Sequence, residues 1–126
     1  MDNIMNSPVV DLSILSIYLG STDEKGEWLF PELIDQFRES SLTLLGRVGT
    51  EAAAGNYEAA SATLYLFAGV ARLVGAIRLE KMALALRHKC IEGVVPSDEN
   101  WTVFVDAIVD FIECAKRYHK ELLSSL

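Results

Sequence analysis

The residues of this chain best suited to nucleophilic or metal chemistry are its two histidines and its two cysteines. His88 and His119 stand 31 positions apart, and no Cys-x-x-Cys or His-Glu-x-x-His motif is present, so a metal site has no support. Cys90 and Cys114 have no evident activating partner, and we expect them to be small core residues with reduced thiols. No catalytic triad or glycine-rich phosphate loop is recognisable. We therefore expect no catalytic activity, no metal and no cofactor.

Tyr65 is the residue with the most informative neighbours. Gly69 and Gly75 follow it at offsets of four and ten residues. At about 100° per residue, the large apolar residues of this helix share a sector centred near Val70, and Tyr65 lies on the opposite side. The predicted core sector contains Leu66, Phe67, Val70, Leu73, Val74 and Ile77. The predicted outward stripe contains Glu58, Ser61, Tyr65, Ala68 and Arg72, with Ala62 and Gly69 as small neighbours.

The segment 64–76 resembles the central helix of histidine-containing phosphotransfer (HPt) domains, whose pattern is roughly H-x-x-K-G, small residues and a second glycine. Tyr65 stands at the position of that family's phospho-accepting histidine, and Ala68 at the position of its lysine. Gly69 and Gly75 match the two glycines. The resemblance implies a domain that keeps the HPt scaffold and lacks its reactive side chains.

These two replacements change the chemistry that the position supports. Imidazole is nucleophilic near neutral pH because its ordinary pKa is about 6.5, and its phosphoramidate passes phosphate to an aspartate. A tyrosine phenol, with an ordinary pKa of about 10, is mostly protonated at pH 7 and forms a phosphate ester too stable for relay. Ala68 cannot hold an incoming phosphoryl group as lysine would. An active phosphotransferase that uses His88 or Tyr65 is therefore the last-ranked hypothesis.

The rest of the chain predicts the helices that position Tyr65. Ser7-Pro8 resembles an N-cap and first helical residue, and a polar loop follows the first helix. Asn56 and Ser97 are predicted N-caps of later helices. Gly46 and Gly49 fall inside the second helix and weaken its second half. The predicted helices cover 8–19, 31–54, 57–75, 77–91 and the region from 98 onward.

Long amphipathic helices with short connections predict an all-α fold, an antiparallel four-helix bundle with an additional N-terminal helix. We expect one domain over 1–126, with the resemblance firm over 57–92 and looser over 30–125. The resemblance implies that the bundle is of HPt type.

Charge narrows the classes of partner. The chain carries 18 acidic and 11 basic side chains, a net charge of −7, which disfavours nucleic acid and anionic membrane surfaces. No apolar run is long enough to span a bilayer, and no signal peptide is recognisable. We expect a cytoplasmic monomer.

The resemblance implies a binding function. The expected partner is the receiver domain of a response regulator or of a hybrid histidine kinase, bound without relay of phosphate. The expected binding residues are Ser61, Ala62, Tyr65, Ala68, Gly69 and Arg72. The alternative is a helical adaptor for a partner outside two-component signalling, with Leu64 and Ala71 beside Tyr65 as its apolar patch.

Overall fold

The computed structural model describes residues 2–126, with side chains from Ile4 onward, and its regular elements are helices. Thr22 and Trp28 form an isolated antiparallel bridge. The helices are α1 (Asp2–Met5), α2 (Leu12–Leu19), α3 (Phe30–Ala53), α4 (Tyr57–Leu73), α5 (Ile77–Ile91) and α6 (Asp98–Ser125). The prediction of an all-helical fold is confirmed for this part of the chain. None of these helices is long and apolar enough to cross a bilayer.

The four long helices contact one another in a ring: α3 with α4, α4 with α5, α5 with α6, and α6 with α3. Their short connections make neighbours antiparallel, an arrangement compatible with the predicted bundle. Aromatic pairs fill the centre. The ring centroids of Phe37 and Phe111 lie 5.1 Å apart, and those of Phe67 and Phe104 lie 4.8 Å apart.

Two predicted N-caps are confirmed. The side chain of Asn56 accepts a hydrogen bond from the Ala59 amide at 3.2 Å and begins α4. Ser97 and Asn100 form a reciprocal capping box at the start of α6, with distances of 3.1 and 3.0 Å. Each side chain satisfies an amide that the helix leaves unpaired. The first residues of α4 and α6 are therefore determined by local capping hydrogen bonds.

Gly75 ends α4 and joins it to the N-terminal segment. The amides of Ala76 and Gly75 donate to the carbonyls of Ala71 and Arg72 at 2.9 and 3.1 Å, which is a Schellman motif. Gly75 has a φ of +79°, and a Cβ there would lie 2.9 Å from the carbonyl oxygen of Asp11. The Asp11 amide also donates to the Gly75 carbonyl at 2.7 Å. Conformation and space both require glycine at this turn.

The predicted first helix over 8–19 is wrong at its beginning. Helix α2 begins at Leu12, and the Asp11 carboxylate accepts from the Ser13 amide at 3.0 Å. Hydrogen bonds from Ser13 also lower the pKa of the Asp11 carboxyl below its ordinary value. Ser7, the predicted N-cap, does not cap α2. Its carbonyl accepts two hydrogen bonds from the Arg78 guanidinium at 2.8 and 3.0 Å. The separate helix α1 was not predicted.

The buried face of α4 is rotated from the predicted one. Leu66 and Leu73 were predicted in the core but are 50% and 69% exposed, and Val70 is half-buried. The buried residues are Ala60, Thr63, Leu64, Phe67, Ala68 and Ala71. A sector drawn from large apolar residues misplaces this face because small alanines make up half of the buried side.

Phe67→Ala should lower the free energy of unfolding by roughly 3–5 kcal/mol, because its buried ring contacts Phe104 and its loss leaves a cavity. Leu66→Ala is the matched control one position away, and it should change that free energy by only about 0.5 kcal/mol. Urea denaturation of both variants measures the difference. Equal losses would contradict the described rotation of α4.

Candidate functional site

Tyr65 lies in the middle of α4 with its side chain 60% exposed, as predicted. Helix neighbours on the same outer side form a continuous surface with it. We call this surface the Tyr65 face, and it consists of the exposed residues Ala62, Tyr65, Leu66, Gly69, Arg72 and Leu73. Four of the predicted binding residues therefore lie together on one side of a single helix.

Gly69 leaves an opening at the centre of the Tyr65 face. A Cβ at this position would meet no atom within 4 Å, apart from its own helix backbone and chain neighbours, and its φ is not positive. Glycine inside a helix costs about 1 kcal/mol relative to alanine. Neither backbone conformation nor internal contact explains this residue. Its effect is to leave the helix backbone accessible from outside, one turn from Tyr65.

Arg87 of α5 supplies a contact that the sequence reasoning missed. Its guanidinium carbon lies 5.1 Å from the centroid of the Tyr65 ring, which is a cation–π geometry. The signal was present in the antiparallel pairing of α4 and α5 about the turn at Gly75, which brings residues near 65 and 87 to one level. Arg72 lies on the Tyr65 face and Arg87 lies beside it, so two positive side chains adjoin its apolar residues.

Leu66 and Leu73 make the Tyr65 face apolar on the side away from Arg87. The Tyr18 hydroxyl donates to the Leu73 carbonyl at 3.3 Å, so α2 borders this end of the face. A cavity of about 220 Å³ lies there between α2, α3 and α4. Its lining residues are Tyr18, Leu33, Gln36, Phe37, Ser40, Val70, Leu73 and Val74. Apolar surface is therefore accessible at this edge of the Tyr65 face.

The structure corrects the placement of four other predicted residues. Ala68 was predicted on the outward stripe but is 4% exposed, because it lies on the side of α4 that faces the core. Leu64 and Ala71, the predicted apolar patch of the adaptor alternative, are fully buried. Ser61 is half-buried, and its hydroxyl donates to the Glu58 carbonyl at 3.0 Å within the same helix.

The remaining reactive side chains lie away from this face or lack an activating environment. His88 is exposed, and its Nε2 lies 2.7 Å from the carboxylate of Glu92, the C-cap residue of α5. Both cysteines are free thiols. Cys90 is buried, which raises the pKa of its thiol, whereas Cys114 is half-buried. No cluster of side chains suited to a metal ion occurs among the described residues.

His119 is part of the packing at the end of the bundle. Its ring stacks on Phe30 with centroids 4.6 Å apart and makes an edge contact with Trp28 at 6.0 Å. The Nε2 atom is buried without a hydrogen-bond partner. Burial lowers the pKa of His119 below its ordinary value, so the neutral ring is the form that this contact favours.

Comparison with known proteins gives no match to a family model, to a curated protein or to a solved structure.

Protonation of His119 should destabilise the fold. The pKa of the folded-state imidazole is below 6.5, so the unfolded chain binds a proton first as the pH falls. The stabilising contribution is complete above about pH 6.5 and is lost as the pH falls through the folded-state pKa. His119→Phe should flatten the decrease in the midpoint of urea denaturation between about pH 7 and pH 5. His88→Asn, at an exposed position, is the control, and an unchanged slope in His119→Phe would contradict the described burial.

Proposed function

We propose that this protein is a pseudo-HPt protein, a bundle of HPt type that binds a receiver domain through the Tyr65 face without relaying phosphate. The partner is the receiver of a response regulator or of a hybrid histidine kinase. In this role the protein acts as a cytoplasmic monomer and binds neither nucleic acid nor membranes.

The observation that carries the proposal is the exposed Tyr65 beside the unobstructed backbone of Gly69 at the centre of α4. In the resembled family, a histidine occupies the first position and the glycine four residues later lets the receiver's active site come close. A glycine without an internal role is what such a close approach would require. The geometry therefore supports docking, while the side chain at position 65 does not support transfer.

The rest of the Tyr65 face suits a partner of this kind. Leu66 and Leu73 offer apolar area for burial. Arg87 and Arg72 provide positive charge near the point where a receiver would present its carboxylate or phosphorylated aspartate. Opposite charges at an interface guide encounter and fix orientation. These two arginines can attract the partner without supplying a nucleophile.

The chemistry of Tyr65 sets the proposed outcome of docking. A phenol accepts and returns a phosphoryl group poorly, so a bound phospho-receiver would keep its phosphate. Such a protein acts as a competitor of true HPt proteins, as a modulator that holds a receiver in one state, or as an adaptor.

A helical adaptor for a partner outside two-component signalling is the second candidate. The exposed side chains of Leu66 and Leu73 favour it, because an apolar surface of this kind suits other helical partners as well. Binding of purified receiver domains separates the two candidates, since only the pseudo-HPt protein would bind them.

Gly69→Arg should weaken receiver binding by at least about tenfold, because a long charged side chain would fill the open approach to the backbone. Gly46→Arg is the matched control, an identical change at an exposed helical glycine of α3 that also has open space around it. Isothermal titration calorimetry measures both affinities, and circular dichroism checks helical content. A receiver that binds wild type and Gly69→Arg equally would show that the Tyr65 face is not the docking site.

Wild-type protein should take no phosphate from a radiolabelled phospho-receiver, because no histidine lies on the Tyr65 face. Phosphate transfer is followed by electrophoresis and autoradiography, with a true HPt protein as the positive control. Acid-labile label on the wild type that disappears in His88→Ala would overturn the proposal and favour an active phosphotransferase.

A further inference from the structure

Gly46 and Gly49 of α3 are two further helical glycines that the fold does not explain. Each is exposed, neither has a positive φ, and a Cβ at either position would meet no atom within 4 Å outside its own helix backbone. Alanine would favour the helix at both positions. These glycines lie three residues apart on α3, outside the Tyr65 face, so the proposed function does not account for them.

Gly49 borders an apolar groove between the C-terminal half of α3 and the beginning of α6. The groove has a volume of about 420 Å³. We call it the α3–α6 groove, and its lining includes Leu45, Gly49, Val95, Asp98, Trp101 and Val105. Val95 is 65% exposed, and Leu42, one turn before Gly46, is 60% exposed. Exposed apolar surface beside two glycines is suited to the close approach of another helix.

The charges around the groove indicate what kind of helix would bind there. Asp98 lines the groove itself, and helical spacing places Glu39 on the same side of α3 as Leu42. Toward its N-terminus the outer face of α3 borders a second, acidic groove of about 560 Å³. The carboxylates of that groove belong to Asp23, Glu27, Glu32, Asp35 and Glu39.

A second copy of the chain is a poor occupant, because self-association would bring these acidic rims together. Both arginines of α3 already have acidic neighbours, because Arg38 is paired with Asp35 at 3.0 Å and Arg47 lies 3.8 Å from the Glu51 carboxylate. A partner with positive side chains would not meet this electrostatic repulsion.

We propose that the α3–α6 groove binds an amphipathic basic helix. The apolar side of that helix would cover Val105, Trp101 and the two glycines, and its lysine or arginine side chains would reach the acidic rim. In the ring of helices, the α3–α6 pair lies opposite the α4–α5 pair that carries Tyr65 and Arg87. The protein would therefore present two separate docking faces, and this second face does not depend on the identity of the first partner.

The test uses two synthetic peptides of about 14 residues, roughly four helical turns. Both carry leucines at helical spacing on one side, and the other side carries lysines in one peptide and glutamates in the other. Fluorescence anisotropy of the labelled peptides with the full chain should give at least about tenfold tighter binding for the lysine peptide. Added salt should weaken that binding. Gly46→Gln with Gly49→Gln should reduce it at least about tenfold, while the thermal midpoint stays equal to or above that of wild type.

Gly69→Gln is the matched control on the Tyr65 face and should leave peptide binding unchanged. Equal binding of the two peptides, or lysine-peptide binding unaffected by the double variant, would overturn the proposal. Loss of binding in Gly69→Gln alone would show that the peptide binds at the Tyr65 face and would overturn the proposal. Analytical ultracentrifugation tests whether a second copy of the chain occupies the groove. A wild-type dimer that the double variant abolishes would show that it does and would overturn the proposal.

Discussion

The turn at Gly75 holds the N-terminal segment against the four long helices. Its positive φ closes α4, and its carbonyl and Cα face the backbone of Asp11 so closely that a Cβ would stand 2.9 Å from the Asp11 carbonyl oxygen. Ile14 contacts the same glycine, and Leu15 beyond it is fully buried. A side chain at position 75 would separate α2 from the end of the bundle and expose apolar residues of the core.

The same turn determines the chemistry around Tyr65. Because three residues connect α4 and α5, the two helices can pair in only a narrow range of registers. That register brings Arg87 over the Tyr65 ring. Small buried residues of α4, among them Ala68 and Ala71, allow the two helices to lie close together. The burial of Ala68 and the position of Arg87 beside Tyr65 thus arise from the same pairing of α4 with α5.

Local sequence rules predicted most of the helices but not their relation to one another. Asn56 and Ser97 begin their helices as predicted, because a capping side chain acts on amides two or three residues away. Ser7-Pro8 satisfies the same local rule and failed, because Arg78, distant in sequence, binds the Ser7 carbonyl and holds the chain in a different conformation. Helix α2 begins instead after Asp11, whose carboxylate caps it by the same local rule.

The candidate site, too, was predicted only in part from local sequence rules. The exposure of Tyr65 and Gly69 followed from helical spacing, whereas the rotation of α4 did not. Spacing alone weights Leu66 and Leu73 as core residues, but the surrounding helices select the alanine-containing side for close packing. Arg87 belongs to another helix, so its contact with Tyr65 follows only when the antiparallel pairing of α4 and α5 about Gly75 is taken into account.

The order in which contacts form during folding follows from the separation of their residues along the chain. The turns at 54–56 and 74–76 join neighbouring helices through local contacts, which close rapidly. The N-terminal segment attaches through contacts that span 71 residues between Ser7 and Arg78 and 55 between Tyr18 and Leu73. We therefore expect its docking to be a late step of folding and its release to be a local opening of the structure. Because Tyr18 borders the Tyr65 face, we expect each such opening to enlarge the apolar edge of that face, whose exposed area then follows the local stability of residues 4–19.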